Sequence, residues 1–177
     1  MYIEDKYWDN CIGQTEDSLT LIDYLADKHK DEITIREIFA DIGLDKLNGN
    51  FREHEEPLTS VLKNIDSDYD EPEVEFYYAI DIISDIAALL LECKINGTVN
   101  LCELNGSELD TNTPDIRITA TPEEHKIIND VLKDFVANPL AYDVTEIEEP
   151  EDTRATAAVC KALREELYGQ ESYTDDR

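Results

Sequence analysis

The sequence predicts an α+β fold, a helix-dominated single domain with a small antiparallel β-hairpin or sheet. Several segments repeat apolar residues every three or four positions, as amphipathic helices do, and two of them open with a capping box. Residues 98–104 instead alternate with the period of a strand, and a second strand is predicted over residues 115–120. The chain has 177 residues, enough to bury a core without a disulfide or a metal ion.

The opening of the chain predicts an irregular segment over residues 1–15, followed by an amphipathic helix. The helix begins near Glu16 and fades near Lys30, where lysines suit the negative end of the helix dipole. Its apolar face consists of Leu19, Leu21, Ile22 and Leu25.

A second helix opens with the capping box Thr34-x-x-Glu37 and ends at Gly43. The two helices do not indicate a helix–turn–helix reader of DNA, because the segment is net acidic and offers no basic recognition face. A further short helix is predicted over residues 58–65.

The longest predicted helix covers residues 73–92 and is apolar on most of its sides. A helix of this kind is normally the buried centre of a fold. Its polar stripe is narrow and consists of Asp81, Ser84, Asp85 and Glu92, continued by Tyr77 and Tyr78. Asn96-Gly97 is the predicted C-terminal cap.

The rest of the chain predicts a hairpin and two helices. The strands over residues 98–104 and 115–120 are expected to pair as an antiparallel hairpin with a long loop. Thr121-Pro122-x-Glu124 then opens a helix that ends at Asn138-Pro139. A last helix is predicted over residues 153–168, and residues 169–177 are expected to be a frayed tail.

Net charge separates the possible classes of function. The chain has 15 Lys and Arg against 43 Asp and Glu, a net charge of −28. Binding to nucleic acid requires cations that neutralise phosphates, so a nucleic-acid binder is excluded and docking on an anionic membrane is disfavoured. The charge is spread over the whole chain, which leaves open a merely soluble surface or a salt-adapted protein.

Cysteine usage and the opening residues predict a cytoplasmic protein. The four cysteines form no C-x-x-C motif and have no histidine near a pair, which disfavours a zinc site. The opening MYIEDKYWDN lacks a basic n-region and an apolar h-region, so no signal peptide is predicted. The most apolar run, residues 86–91, is far shorter than the ~20 residues that span a bilayer.

No motif indicates catalysis or a cofactor. The three histidines lie in separate segments, and the G-x-S-x-G, P-loop and G-x-G-x-x-G patterns are missing. Asp66-x-Asp68-x-Asp70 imitates the start of a calcium loop, but Glu71 and Tyr77 stand where the loop needs Gly and Glu. We therefore expect neither an enzyme nor a metal-binding protein.

Two stretches without any Lys or Arg carry the most information about a partner. Residues 64–93 contain nine acids and residues 134–153 contain seven, with tyrosines interleaved. Carboxylates would steer the encounter with a basic protein and tyrosines would anchor it, although many of the tyrosines are also expected to pack in the core. The candidate contacts in the first loop are Asp66, Asp68, Tyr69, Asp70 and Glu71. Those in the second are Glu146, Glu148, Glu149, Glu151 and Asp152.

The segment YWDNCIGQTEDSLTLIDYLADK, residues 7–28, resembles the immunity proteins of bacterial polymorphic-toxin and contact-dependent growth-inhibition systems. This resemblance implies a cytoplasmic inhibitor of one cognate toxin domain, which is the C-terminal part of a larger secreted effector and frequently a nuclease. It implies no fold, because these families are structurally diverse. The sequence therefore predicts that acidic loops cover the active-site cleft, or the substrate path, of a basic toxin domain.

Three alternatives remain at this point. A phage- or plasmid-encoded DNA mimic would place carboxylates on one face with the spacing of phosphates. An enzyme would show a deep pocket that holds a His or Cys with a shifted pKa. An adaptor that is acidic only for solubility would lose its basic partners at moderate salt.

Overall fold

The computed structural model describes residues 1–53, 58–60, 74–104, 109 and 112–169. It confirms a helix-dominated α+β fold. Six α-helices are described: α1 (Glu16–Asp27), α2 (Ile35–Ile42), α3 (Ala79–Asn96), α4 (Leu101–Leu104), α5 (Pro122–Ala137) and α6 (Pro150–Tyr168). The described strands are β1 (Glu32–Thr34), β2 (Leu58–Ser60), β3 (Val74–Phe76) and β4 (Arg117–Thr119).

The predicted central helix is α3, and it begins later than the sequence indicates. Every residue from Ala79 to Glu92 is buried except Asp81, which is partly exposed. Helices α5 and α6 pack on α3, and α1 contacts it as well. None of the described helices combines the length and apolar character that crossing a bilayer would require.

A two-stranded antiparallel sheet replaces the predicted start of the central helix. Strand β3 pairs with β2, and Leu58 lies opposite Phe76. The short helix predicted over residues 58–65 is therefore wrong at residues 58–60, and residues 61–65 lie outside the described part of the chain. The chain stays extended up to Tyr78, the N-cap of α3, because the Asp17 carboxylate holds the backbone there.

The predicted hairpin between residues 98–104 and 115–120 is wrong except for one bridge. Val99 and Ile116 exchange two antiparallel backbone hydrogen bonds of 2.8 and 2.9 Å. Beyond that bridge, the Asn100 side chain accepts a 3.0 Å hydrogen bond from the Cys102 amide and starts the helical turn α4. Strand β4 instead pairs in parallel with β1, which brings two segments that are far apart in sequence together.

Local capping signals are confirmed at several helix starts. The Thr121 hydroxyl accepts from the Glu124 amide at 3.2 Å and the Glu124 carboxylate accepts from the Thr121 amide at 2.7 Å, so the predicted capping box is formed. The capping box predicted at Thr34 is only half formed: the Thr34 hydroxyl accepts from the Glu37 amide, but the Glu37 carboxylate accepts from Lys28 and Lys30 instead. Gly43 ends α2 with a φ of 88°. Helix α6 begins at Pro150, three residues earlier than predicted.

The N-terminal segment is packed on the core, and the C-terminal tail is described only at its first residue. The opening segment, for which no regular element is predicted, contains a π-helical turn over Glu4–Trp8 with Tyr7 and Trp8 buried. Glu92 of α3 accepts the Ile3 amide hydrogen bond at 3.0 Å and so fastens this turn to the core. Of the predicted frayed tail, Gly169 is the C-cap of α6, and residues 170–177 lie outside the described part of the chain.

Candidate functional site

Carboxylates from three segments meet around the side chain of Tyr78, at the N-terminal end of α3. Burial raises the pKa of the Tyr78 phenol, and four nearby carboxylates, Glu146, Asp143, Asp17 and Asp81, raise it further. Asp85 and Glu148 belong to the same group because both raise the pKa of Asp81. We call the six carboxylates the acidic face: Asp17, Asp81, Asp85, Asp143, Glu146 and Glu148.

Asp17, in the first turn of α1, fixes the backbone at the start of α3. Its Oδ1 atom accepts a hydrogen bond from the Tyr77 amide and its Oδ2 atom accepts one from the Tyr78 amide, both at 2.9 Å. The Tyr78 side chain provides no N-terminal cap, so the Asp17 carboxylate binds the backbone just ahead of the helix. This contact sets the position of the two tyrosines on the acidic face.

Asp85 is the innermost carboxylate, with an exposed fraction of 2%. Its oxygens accept hydrogen bonds from the Gly13 amide at 3.1 Å and from the Ser18 hydroxyl at 2.7 Å. Burial raises the pKa of Asp85 to about 7, while the two hydrogen bonds oppose that shift and nearby Asp17 adds to it. The Asp85 carboxyl is thus harder to ionise than a carboxyl exposed to water.

Asp81 lies one helical turn before Asp85 and is the partly exposed member of the pair. Burial raises the pKa of Asp81 to about 8, and repulsion from Asp85, Asp17, Glu148 and Asp143 adds to the effect of burial. No described residue donates a hydrogen bond to the Asp81 carboxylate. The ionised form of Asp81 is therefore costly, and a cation that approached from outside would stabilise it.

The segment between α5 and α6 supplies the outer wall of the acidic face. It contains two 3₁₀ turns, Pro139–Ala141 and Asp143–Glu146. The Asp143 amide donates a 2.7 Å hydrogen bond to the Arg52 carbonyl, which holds the segment against the chain. Burial raises the pKa of Glu148, whereas the Thr153 hydroxyl, which donates to it at 3.1 Å, lowers that pKa.

Three carboxylates of the acidic face have no counter-ion in the described part of the chain: no lysine or arginine there forms an ion pair with Asp81, Asp85 or Glu148. Lys28 and Arg52, for example, pair elsewhere, with Asp41 at 2.5 Å and with Asp134 at 2.7 Å. A cation from a partner would therefore meet no internal competitor at these three carboxylates.

Apolar side chains lie next to these charges. Tyr77 precedes Tyr78 and has an exposed fraction of 45%, and Ile147, between Glu146 and Glu148, has one of 68%. Exposed aromatic and aliphatic side chains beside charges are typical of protein-binding surfaces.

The structure brings together part of the predicted contact set. Glu146 and Glu148 belong to the acidic face, and Glu149, Glu151 and Asp152 are exposed at the N-cap and first turn of α6, directly after it. The other predicted contacts lie outside the described residues: Asp66, Asp68, Tyr69, Asp70 and Glu71.

Four carboxylates of the acidic face are not among the predicted contacts: Asp17, Asp81, Asp85 and Asp143. The polar stripe of the apolar helix, which includes Asp81 and Asp85, is the signal in the sequence that could have found two of them. Asp17 carries no such signal, because its role comes from contacts about sixty residues away in sequence.

The described part of the chain contains neither a candidate metal site nor a disulfide. The described histidines, cysteines and carboxylates include no group of three or more that could hold a metal ion. None of the four cysteines forms a disulfide, and Cys160 is buried beside Ser84 at an Oγ–Sγ distance of 3.4 Å.

Comparison with known proteins identifies the family of the chain. Neither the curated proteins nor the solved structures contain a match to the chain. A family model described as Immunity protein 68 matches residues 2–167, which is nearly the whole sequence. The chain therefore belongs to the Immunity protein 68 family.

Proposed function

We propose that this chain neutralises a cognate toxin domain by binding a basic surface of that domain with the acidic face, and that the toxin is a nuclease. Membership in an immunity protein family implies a cognate toxin as partner. The toxin domain would be the C-terminal part of a larger secreted effector, and binding would take place in the cytoplasm without any catalytic step by the inhibitor.

The observation that carries this proposal is the state of Asp81. Its carboxylate is partly exposed, its pKa is raised to about 8, and no described cation neutralises it. A lysine or arginine from a partner would remove the electrostatic cost of ionising Asp81. At pH 7 a carboxyl with this pKa is mainly protonated, so an arriving cation would ionise it with release of a proton, and strongly shifted pKa values are concentrated at functional sites.

A nuclease fits this surface for a chemical reason. The cleft of a nuclease is positive because it must hold phosphates. The outer carboxylates of the acidic face, Glu146 and Glu148, with those at the start of α6, would occupy the positions of substrate phosphates. Tyr77 and Ile147 would anchor the contact. The toxin would be inhibited because its cleft, or the path to the cleft, is covered.

The first experiment identifies the partner. The chain is co-expressed with the C-terminal toxin domain encoded by the neighbouring gene, and the complex is isolated at moderate salt. We expect a complex with equal numbers of the two proteins, and protection of DNA or RNA from cleavage when the chain is added. A stable complex with a toxin that does not cleave nucleic acid would contradict the nuclease assignment.

The second experiment tests the surface with matched charge reversals. Glu151 and Glu123 are both exposed acids that directly follow a proline at the first position of a helix, in α6 and α5. We expect Glu151→Lys and Glu146→Lys each to weaken toxin binding about tenfold or more, and Glu123→Lys to leave it nearly unchanged. Equal affinities for all three variants would contradict binding through the acidic face.

The loop over residues 66–71, predicted from the sequence, is tested separately. Asp68→Lys and Asp70→Lys, made together, would weaken binding if that loop also contacts the toxin. Unchanged affinity would remove this loop from the proposal and leave the acidic face in place.

A further inference from the structure

A cavity of about 690 Å³ lies at the other end of α3, away from the acidic face. It is open to solvent and is lined by the C-terminal end of α3, by β4 and the residues that follow it, and by the start of α5 and the end of α6. The residues that line it include no aspartate or glutamate. In a chain in which acids outnumber lysines and arginines 43 to 15, this is a local reversal of charge.

Two permanent cations line this cavity, Lys94 and Arg117. The Lys94 ammonium donates a 2.9 Å hydrogen bond to the Leu167 carbonyl and a 3.4 Å bond to the Glu166 carbonyl, so it is held at the end of α6. An ammonium has three N–H donors, which leaves one for a ligand. Arg117 is exposed in β4, and the acid opposite it in the parallel pair, Glu32, does not line the cavity.

Both cations influence their neighbours inside the cavity. Burial lowers the pKa of His125 and Lys94 contributes to that lowering, although Glu124 opposes it. Burial raises the pKa of the Cys93 thiol and Glu92 adds to that rise, while the Ile118 amide and Arg117 oppose it. Each cation therefore lies close enough to act on a polar group of the cavity, and the carboxylates of Glu92 and Glu124 act on the same groups.

The remaining lining is partly neutral and polar and partly apolar. The His125 Nδ1 atom and the Tyr168 hydroxyl are joined by a 3.0 Å hydrogen bond, and their rings meet edge to face at 5.5 Å between centroids. Leu90 and Ile118 add an apolar wall. A concave surface with apolar walls and a few polar groups is the usual form of a small-molecule site, and the volume is in the usual range.

We propose that this cavity binds a small amphipathic anion, a molecule with an apolar body and a carboxylate or phosphate head. The head would contact Lys94 and Arg117, and the body would pack on Leu90 and Ile118. The net charge of −28 repels anions from the chain as a whole, and the two cations without a lining carboxylate give this cavity local positive charge. The proposal does not depend on the identity of the toxin.

The test uses calorimetric titration of the full chain with octanoate and with octyl phosphate, and 1-octanol as the uncharged analogue. We expect saturable one-site binding of at least one anion and at least tenfold weaker binding of 1-octanol. The stronger of the two anions identifies the preferred head. Because a ligand that binds only the folded chain stabilises it, the same anion is expected to raise the melting temperature.

Three variants locate the site. Arg117→Gln is expected to weaken anion binding about tenfold, and Ala120→Phe, which fills the cavity but keeps both cations, is expected to abolish it. Lys161→Gln, an equal loss of charge at an exposed position of α6 outside the cavity, is expected to bind like the unmodified chain. The proposal is overturned if neither anion binds saturably, or if Arg117→Gln and Lys161→Gln bind equally well.

Discussion

The Ser18 hydroxyl of α1 donates a 2.7 Å hydrogen bond to the buried carboxylate of Asp85 in α3. The Ser18 amide also donates to the Thr15 hydroxyl at 3.1 Å, as part of the capping box that starts α1. The cap of one helix and the buried acid of another therefore belong to the same hydrogen-bond network. Asp17, between Thr15 and Ser18, extends this network to Tyr77 and Tyr78 at the acidic face.

Ser18→Ala is expected to destabilise the chain because it leaves an Asp85 oxygen without its side-chain donor. We expect the free energy of unfolding to fall by about 1–3 kcal/mol at pH 8, where Asp85 is ionised, and by less at pH 5, where it is protonated. Urea unfolding at the two pH values measures the difference. Thr20→Ala removes a hydroxyl from the same helix that bonds only to the Glu16 carbonyl, and its loss is expected to be smaller and independent of pH.

Asp81→Asn is expected to stabilise the chain at high pH. The folded-state pKa of Asp81 is about 8, whereas the unfolded value is 3.8, so the folded chain binds this proton more tightly. The protonated Asp81 carboxyl contributes its full stabilisation of the folded chain below about pH 4. This contribution is lost as the pH rises to about 8. Asn cannot ionise, so we expect a gain of at most about 5 kcal/mol at pH 8, the value of the full pKa shift, and little change at pH 4.

Thermal or urea unfolding across this pH range checks the Asp81 prediction. Asp115→Asn, at an exposed carboxylate away from the acidic face, serves as the control. If Asp81 also contacts the toxin, Asp81→Asn should bind the toxin more weakly although it is more stable. A variant that is destabilised at pH 8 would show that the Asp81 carboxylate has an internal partner.

The helices could be predicted where their signals are local. The capping box at Thr121 and Glu124 spans four residues, and the apolar run of α3 identifies a buried helix without any tertiary information. Strands β1 and β4 have three residues each and pair across more than eighty positions. No short-range pattern carries that pairing, so the strand-like alternation of residues 98–104 predicts the wrong partner for residues 115–120.

Only the part of the candidate site that is visible as a stretch of acids without lysine or arginine could be predicted from the sequence. The lack of lysine and arginine between residues 134 and 153 indicates Glu146 and Glu148, because it is a property of the sequence itself. The raised pKa of Asp81 depends on burial and on carboxylates from other segments, which only the fold brings together. The polar stripe that contains Asp81 is visible in the sequence, but by itself it indicates a helix and not a binding surface.

Asp134→Asn is expected to have the opposite pH dependence from Asp81→Asn. Asp134 accepts hydrogen bonds from Arg52 at 2.7 and 2.8 Å and from the Tyr142 hydroxyl at 2.7 Å. Mainly because of the bonds from Arg52, the pKa of Asp134 is lowered to about 2, so its contribution is present above about pH 4 and lost as pH falls toward 2.

The Asp134 side chain is about one-third exposed, so solvent screens the pair and we expect a loss of only about 1 kcal/mol at pH 7. Urea unfolding should show that this loss shrinks on acidification and in high salt. A loss that is the same at pH 7 and at pH 3 would mean that packing of Tyr142, rather than charge, is responsible.

Gly13→Ala is expected to destabilise the chain for two separable reasons. Gly13 has a φ of 79°, which costs a residue with a side chain roughly 1 kcal/mol, and a Cβ atom at this position would overlap the buried indole of Trp8. Gly49 has a nearly equal φ of 83°, but a Cβ atom there would have no neighbour within 4 Å, so Gly49→Ala should show the backbone cost alone.

We expect the free energy of unfolding to fall by about 3 kcal/mol for Gly13→Ala and by about 1 kcal/mol for Gly49→Ala. Trp8 is the only tryptophan of the chain, so its fluorescence reports directly on this site, and equal losses in the two variants would show that the Trp8 ring moves aside without cost.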